Sequence, residues 1–210
     1  MDATAEIARR VDEGALIVNY IGHGGERGWA HERILNLETI QSWTNRRRLP
    51  VFMTATCELF RHDDPETYSA GEAILFNPDG GAVSLLTTTR TVYSAGNQQV
   101  NRAFFETALD EGDGSRCLGD IYLATKNSET ITSHTNARNF SLMGDPALAL
   151  AYPKHQVHFT EVPDTLRSLD RVVVKGFVGD AAGNVLTGFN GVVVPTVFDK
   201  KATVTTLDND

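Results

Sequence analysis

The sequence predicts an α/β domain with a largely parallel sheet over residues 1–153, followed by the beginning of a β domain over residues 154–210. Two patterns support this division. Up to Pro153, β-branched apolar runs alternate with segments of helical spacing, which is the order expected of parallel strands joined by helices. Beyond Pro153, short strand-like runs are separated by turns such as GDAAGN, with no helical pattern between them. We therefore place a domain boundary near Pro153.

The first domain is predicted to alternate strand and helix along its length. The opening segment, MDATAEIARRVDEG, has the pattern of a charged amphipathic helix and not that of a secretory signal. Three apolar runs predict strands, the first of them buried on both faces: residues 14–25, 49–57 and 80–89. Three further segments predict helices: residues 36–48, 69–77 and 97–112. Asn36 and Ser69 are the predicted N-caps of the first two. The segments RCLGDIYLATKN and TNARNFSLMGDPALAL predict further helical structure and a turn.

The second domain is predicted to begin an antiparallel sandwich. Its three strand-like runs are residues 155–162, 171–180 and 191–200. Because the chain opens directly on helix and strand and ends among strand-forming residues, we expect it to be a segment of a longer protein.

Composition excludes several classes of function. With 27 acidic and 19 basic residues the formal charge is -8, which disfavours binding to nucleic acid or anionic lipid. No apolar run approaches the roughly 20 residues that span a bilayer. The two cysteines, Cys57 and Cys117, are too few for a disulfide framework and form no regular zinc motif, so no cofactor is implied.

A histidine and a cysteine follow two successive predicted strands at the point where each strand ends. His23 lies in IGHGG after the first strand, and Cys57 ends the second. Because the carboxyl ends of parallel strands open onto one edge of a sheet, these side chains can cooperate as imidazole base and thiol nucleophile. Gly24 and Gly25 would let the backbone approach a substrate, and the N–H groups of Gly24 and Cys57 could form an oxyanion hole. The alternative is that Cys57 is an inert core residue and His23 is structural.

Other residues near this pair are weaker candidates. Gly25, Trp29 and Glu58 are candidates for the substrate cleft, although Trp29 is almost as well explained by packing. The acidic loop RHDDPE could bind calcium through Asp63, Asp64 and Glu66, but its spacing favours a solvated loop. A zinc site is a minor alternative, with these ligands: His23, His31, Glu32, Cys57 and His62.

Three further features are interpreted as structural. The RRR run at 46–48 is expected to end a helix in solvent. Cys117 heads a helix, and MGDP at 143–146 is a turn.

Four separated blocks carry a resemblance to a known family. They are NYIGHGGERGW, FMTATCELFRHDDPE, LTTTRTVYS and NFSLMGDPALALAYP. Together they resemble the gingipain-type cysteine peptidases, a caspase-like group, over roughly the first three quarters of the chain. Within that family the likeness is greatest to the C-terminal signal peptidases, or sortases, of the type IX secretion system of Bacteroidota.

The resemblance implies a fold and a catalytic pair. The fold is a caspase-like αβα sandwich followed by an immunoglobulin-like domain. His23 would be the catalytic histidine and Cys57 the nucleophile. In this family an acidic residue that supports the histidine or the substrate precedes the histidine block. Since little chain precedes His23 here, we expect that third group outside this chain, and an isolated fragment to be incomplete or inactive.

The resemblance also implies a substrate and a location. Such enzymes act at the cell surface, on the outer face of the outer membrane, beside other type IX secretion components. They remove the C-terminal sorting domain of a secreted protein through a thioester, and the sortases pass the acyl group to an amine on anionic lipopolysaccharide. A second hypothesis, from another class, is a non-catalytic caspase-like scaffold that holds a partner.

Overall fold

The structure is a computed structural model that describes residues 2–110, 116–165, 167 and 169–198. The chain divides into a compact unit that ends at Tyr152 and a second that begins at Pro153. In chain order the first unit contains α1 (Ala3–Glu13), β1 (Ile17–Ile21), β2 (Gly24–Gly25), β3 (Gly28–Trp29), β4 (Leu35–Asn36), α2 (Leu37–Gln41), β5 (Val51–Ala55), α3 (Ala70–Phe76), β6 (Ser84–Thr88), α4 (Ser94–Ala108), α5 (Leu118–Lys126), α6 (His134–Asn139) and β7 (Phe140–Gly144).

A mixed four-stranded sheet organises the first unit. Its strand order is β1-β5-β6-β7, in which the first three strands run parallel and β7 runs antiparallel to β6. Side chains alternate across this sheet, so β5 contributes Val51, Met53 and Ala55 to one core and Phe52 to the other. Helices α4 and α5 pack on the first face, while α1, α2 and α3 pack on the second. The first unit is therefore a three-layer αβα arrangement.

Local sequence signals account for several of these elements. The side chain of Asp2 caps α1 by accepting the Thr4 N–H at 3.0 Å. Ser69 and Glu72 form a reciprocal capping box at the start of α3, and Asn36 caps α2 as its sequence predicts. Predicted strands 49–57 and 80–89 are confirmed as β5 and β6, in which every residue is buried.

Three predictions about the secondary structure of this unit are wrong, and one small sheet was not predicted. The first strand is not buried on both faces: β1 lies at the edge of the described sheet, where helices cover it only in part, and Ile21 is 44 % exposed. The predicted helix 36–48 ends at Gln41, where the Asn77 side-chain amide donates to the Ile40 carbonyl. Trp43 packs in the core beyond the helix end. Strand β7 was expected to be helix and turn, although its pairing with β6 buries Phe140. The three two-residue strands β2, β3 and β4, which form a second small sheet, were not predicted.

The second unit contains one two-stranded antiparallel sheet in its described residues. Strands β8 (Gln156–Glu161) and β9 (Lys175–Gly179) fall on two of the predicted runs, and an ion pair joins Lys175 to Glu161 at 2.5 Å. The third predicted run is not a strand over residues 191–198, where Val192 is 86 % exposed, because no neighbouring strand pairs with it in the described part of the chain. The immunoglobulin-like arrangement stays a prediction. Among the described residues, no helix has the length and apolar character needed to cross a membrane.

Candidate active site

The sheet brings His23 and Cys57 to the same edge from neighbouring strands. In the β1-β5 pair, Ile21 lies opposite Ala55, and the Gly22 N–H donates to the Ala55 carbonyl at 3.3 Å. His23 follows Ile21 by two residues, just as Cys57 follows Ala55. Both residues therefore leave the carboxyl edge of the sheet at matching positions, where parallel sheets form their binding crevices.

The main chain at His23 is held by two hydrogen bonds. Its carbonyl oxygen accepts the Ala30 N–H and the Tyr20 hydroxyl, both at 2.7 Å. The Tyr20 ring stacks on Trp29 with centroids 4.4 Å apart, and burial raises the pKa of the Tyr20 hydroxyl, which keeps it a donor. The His23 ring itself is exposed and makes no hydrogen bond to any described residue, while the His31 ring lies 6.0 Å away.

Trp29 packs in the core and does not form a wall of the cleft. The side chain is 2 % exposed and lies between Tyr20 and Phe52, whose ring centroid is 6.0 Å away. Strand β3 places the Trp29 side chain toward the core. Its neighbour Gly28 packs so closely against β4 that a Cβ at this position would overlap the Leu35 carbonyl oxygen. The cleft prediction for Trp29 is therefore wrong, and the packing alternative is correct.

Gly24 is required by close packing against Thr56, the residue before Cys57. A Cβ at Gly24 would overlap the Thr56 hydroxyl and lie 2.7 Å from the Gly28 carbonyl oxygen. Since the His23 carbonyl takes the Ala30 N–H, the Gly24–Trp29 pair is a non-hydrogen-bonded one, and the Gly24 N–H points away from β3. This N–H is therefore not used within the small sheet. Gly25 has open space around its Cα.

Cys57 is half-buried, and its thiol lies 3.5 Å from the Val92 carbonyl oxygen. The Thr56 carbonyl before it accepts the hydroxyl of Thr88 on β6. Directly after Cys57, Glu58 has a left-handed φ of 52°, a conformation that costs a non-glycine residue of order 1 kcal/mol. The chain therefore turns sharply away from β5 as soon as it has placed the cysteine.

Two buried asparagines, which sequence reasoning missed, connect the end of β5 to the loop that contacts the thiol. Asn97 donates to the Ala55 carbonyl at 3.2 Å and accepts from Asn136 at 3.0 Å. Asn136 also bonds both the N–H and the carbonyl of Tyr93, at 3.2 and 2.7 Å. The only sequence signal was a pair of asparagines, Asn97 and Asn101, four residues apart on the face of α4 that also carries Val100 and Phe104.

Ion pairs tie the two loops that follow His23 and Cys57. Arg61 binds Glu26 at 2.6 Å and thus joins the cysteine loop to the histidine loop. Arg90 donates to Asp63 at 3.0 Å and holds the pKa of that carboxyl below its usual range. The Glu58 N–H donates to the Arg90 carbonyl at 3.4 Å, which links Glu58 to the same network.

The metal alternatives gain no support from the described residues. Within them no group of three or more histidine, cysteine or acidic side chains could hold an ion. Asp63 is paired with Arg90, and Asp64 lies 4.0 Å from Arg61 and accepts the N–H of Glu66. These contacts agree with an acidic loop neutralised by arginines. The zinc alternative would need His31, Glu32 and His62 to converge with His23 and Cys57, and they form no such cluster.

Two cavities lie at opposite edges of the sheet. The larger, about 630 Å³, lies beside Leu16, Val51 and the RRR run at 46–48. This run does not end a helix as predicted, because α2 ends at Gln41. The second, about 500 Å³, is lined by His23, Gly24 and Gly25.

The second cysteine lies at the start of a helix, as predicted. Cys117 is the N-cap residue of α5, with its sulfur 3.2 Å from an Asp120 oxygen, and both cysteines are free.

Comparison with known families shows to which protein family this chain belongs. The family model described as Peptidase family C25 matches residues 1–151. The chain belongs to peptidase family C25. This is the gingipain family of cysteine peptidases, and the mixed α/β structure matches the caspase-like gingipain fold. The comparison with curated proteins finds no significant match.

Solved structures similar to this C25 chain share its fold. The Arg-specific cysteine proteinase gingipain R (RGPB) matches with a TM-score of 0.62 and 20% identity, over 74% of this chain and 39% of that one. The complex of RgpB pro- and mature domains of Porphyromonas gingivalis gives 0.59 and 20%, over 74% and 40%. A structure described as a protease gives 0.55 and 16%, over 80% and 42%. The chain thus spans about two fifths of the length of these structures, and at such identities the likeness concerns the fold alone.

Tyr20→Phe is expected to weaken the attachment of the loop that contains His23 without leaving a cavity in the core. The variant keeps the ring on Trp29 but loses the hydroxyl that holds the His23 carbonyl. We expect the free energy of unfolding to fall by about 0.5–1.5 kcal/mol and reaction of Cys57 with a peptide electrophile to slow by up to about 100-fold. Urea denaturation and labelling rates measure the two effects. An unchanged labelling rate would mean that the Ala30 N–H alone fixes His23.

Asn136→Leu is expected to release the loop beside the cysteine. Leucine has a similar size but leaves the N–H and carbonyl of Tyr93 and the oxygen of Asn97 without partners. We expect a loss of about 1–3 kcal/mol in the free energy of unfolding. The control is Asn127→Leu at the exposed end of α5, where one solvent-exposed hydrogen bond to the Leu123 carbonyl is lost and we expect a change of less than about 1 kcal/mol. Equal losses in denaturant titrations would contradict the proposed link through Asn136.

Proposed function

We propose that the protein is a cysteine endopeptidase in which Cys57 is the nucleophile and His23 the general base and acid. The observation that carries the proposal is positional: in a chain of peptidase family C25, an imidazole and a thiol leave adjacent parallel strands at matching register. A thiol and an imidazole at such an edge are the minimum set for covalent acyl transfer.

The proposed reaction has two halves. His23 takes the proton of the Cys57 thiol, and the thiolate attacks the carbonyl carbon of the scissile peptide bond. The tetrahedral oxyanion accepts hydrogen bonds from the N–H groups of Gly24 and Cys57. The C–N bond then breaks, protonated His23 gives its proton to the departing amine, and a thioester remains on Cys57. In the second half, water or an amine attacks the thioester with His23 as base, and the thiol is restored.

The Gly24 environment supports its role as an oxyanion donor. Its N–H points away from β3, and the hydroxyl of Thr56 against which it packs is buried without a partner among the described residues. A side chain cannot be added at Gly24 without moving the loop. A donor fixed in this way needs no rearrangement when charge develops on the substrate.

We further propose that the substrate is the C-terminal sorting domain of a secreted protein, as in the PorU-type C-terminal signal peptidase of the type IX secretion system. The four sequence blocks around His23, Cys57, Arg90 and Met143 support this proposal. The acceptor would be water or an amine on anionic lipopolysaccharide, at the outer face of the outer membrane and beside other secretion components.

Mass spectrometry of a secreted substrate's new C-terminus tests the proposed substrate and acceptor. A free carboxylate indicates hydrolysis, and a mass increment joined through an amide indicates transfer. Cells with the full-length protein are expected to yield one of these two products, and cells with the Cys57→Ala variant neither. An intact sorting domain in cells with the unaltered protein would contradict the substrate assignment.

One contact favours a second candidate, a non-catalytic scaffold. The Cys57 thiol lies within hydrogen-bonding distance of the Val92 carbonyl, and no hydrogen bond between described residues joins it to the exposed His23 ring. In that case the cleft would hold a partner without cleaving it. An active-site thiol probe on the full-length protein separates the two functions, because a scaffold thiol reacts no faster than an ordinary cysteine.

A further inference from the structure

Two arginines and two histidines line the cavity beside His23, the second histidine being His23 itself. Arg27, His31 and Arg33 line this volume of about 500 Å³ together with His23. In the described part of the chain, neither Arg27 nor Arg33 forms an ion pair with a carboxylate. The RRR run at 46–48 lines the cavity at the opposite edge of the sheet, so what sets Arg27 and Arg33 apart is that they share a cavity with His23.

The acidic residues nearby do not neutralise this cavity. Glu26 lines it, but its carboxylate is bound by Arg61 at 2.6 Å. Glu32 is exposed and does not line the cavity, and Glu38 shares a smaller hollow with both arginines without reaching ion-pair distance of either. Arg27 and Arg33 are therefore available to an anion from outside the described chain.

Short paired strands fix the main chain around the two arginines. Arg27 lies in the turn between β2 and β3, and Arg33 lies between β3 and β4, where its N–H donates to the Ala30 carbonyl at 3.3 Å. Ala30 and Arg33 both have left-handed φ values, 59° and 56°, which non-glycine residues keep only where surrounding contacts impose them. The guanidinium of Arg33 thus extends from a constrained turn and not from a freely varying loop.

The role of His23 places this cavity on the leaving-group side of the scissile bond. A histidine that protonates the departing amine must lie next to the residue that carries that amine. Guanidinium groups bind carboxylates through paired hydrogen bonds. Resting on the proposed function, we propose that Arg27 and Arg33 form a subsite for a carboxylate of the substrate segment that follows the scissile bond.

Binding of product-side peptides tests the subsite without requiring catalysis. The probes are two peptides with free N-termini, H-Glu-Ala-amide and H-Gln-Ala-amide, which differ only in one negative charge. They are titrated into the full-length Cys57→Ala protein while the ring signals of His23 and His31 are followed by NMR. We expect the glutamate peptide to bind at least about 10-fold more tightly, the ratio expected for a charge-assisted hydrogen bond.

Variants of the two arginines test whether they cause the preference for the glutamate peptide. Arg27→Gln and Arg33→Gln are each expected to lower the ratio, and the double variant to bring it to about 1. Arg46→Gln, at the opposite edge of the sheet, is expected to leave the ratio unchanged. Equal binding of the two peptides, no binding of either, or a preference retained in the double variant would overturn the subsite.

Failure of the subsite and failure of the peptidase function give different results. The subsite is measured as a ratio of dissociation constants in a protein that lacks the thiol. The peptidase function is measured as acylation of Cys57 in the unaltered protein. A protein that acylates Cys57 but binds the two peptides equally would keep the function and lose the subsite.

Discussion

Cys57→Ala is expected to leave the protein folded and to stop cleavage of sorting-domain substrates. The side chain is only half-buried against the core, and the thiol makes one weak hydrogen-bond contact among the described residues, to the Val92 carbonyl, so its loss costs little stability. Without the sulfur no thioester can form, and activity should fall by roughly 10⁴- to 10⁶-fold. His23→Ala should give a comparable loss, and the double variant should be little worse, because residues that act as one catalytic unit are not additive.

The measurement is the electrophoretic size of a sorting-domain substrate from cells that carry each full-length variant. Cys117→Ala is the matched control, since it removes the other free cysteine and should leave maturation intact. Normal maturation in cells with a folded Cys57→Ala protein would contradict the peptidase function and leave the scaffold.

Gly24→Ala is expected to disturb both stability and activity. The added methyl group would overlap the Thr56 hydroxyl and lie 2.7 Å from the Gly28 carbonyl oxygen, and neither is the free end of a flexible side chain. The loop must therefore shift, at a cost of about 1–3 kcal/mol in the free energy of unfolding. Misplacing the Gly24 N–H should lower kcat by a further 10²- to 10³-fold, roughly the effect of losing one oxyanion donor.

Gly25→Ala provides a closely matched control for Gly24→Ala. Its Cβ would meet nothing within 4 Å, so the free energy of unfolding should change by less than about 0.5 kcal/mol. Urea denaturation of both variants measures the difference. Equal stabilities would show that the contact between Gly24 and Thr56 is not close enough to exclude a side chain.

The parts of the fold that could be predicted depend on local chemistry. Strands β5 and β6 are short apolar runs between turns, and the cap of α3 is a complete Ser-x-x-Glu motif. Strand β7 could not be predicted in this way, because its five residues become a strand only by pairing with β6, more than fifty residues earlier in the chain. The two-residue strands around His23 likewise have no periodicity of their own.

The candidate site was predictable where it follows from strand ends and not where it depends on distant contacts. The position of His23 and Cys57 at one edge follows from strand order alone. The hydroxyl of Tyr20 and the amide of Asn136 could not be assigned roles, because their partners are set by packing. Trp29 was misjudged since sequence places it beside the histidine but does not show which way β3 faces.

Labelling of the unaltered full-length protein with a peptidyl acyloxymethyl ketone tests the central claim most directly. This electrophile needs an activated thiol, and tryptic digestion separates the two cysteines into residues 49–61 and 117–126. We expect mass spectrometry to find the adduct on Cys57 alone, with labelling much slower in the His23→Ala variant. An adduct on Cys117 at an equal rate, or labelling of Cys57 that does not depend on His23, would contradict the account.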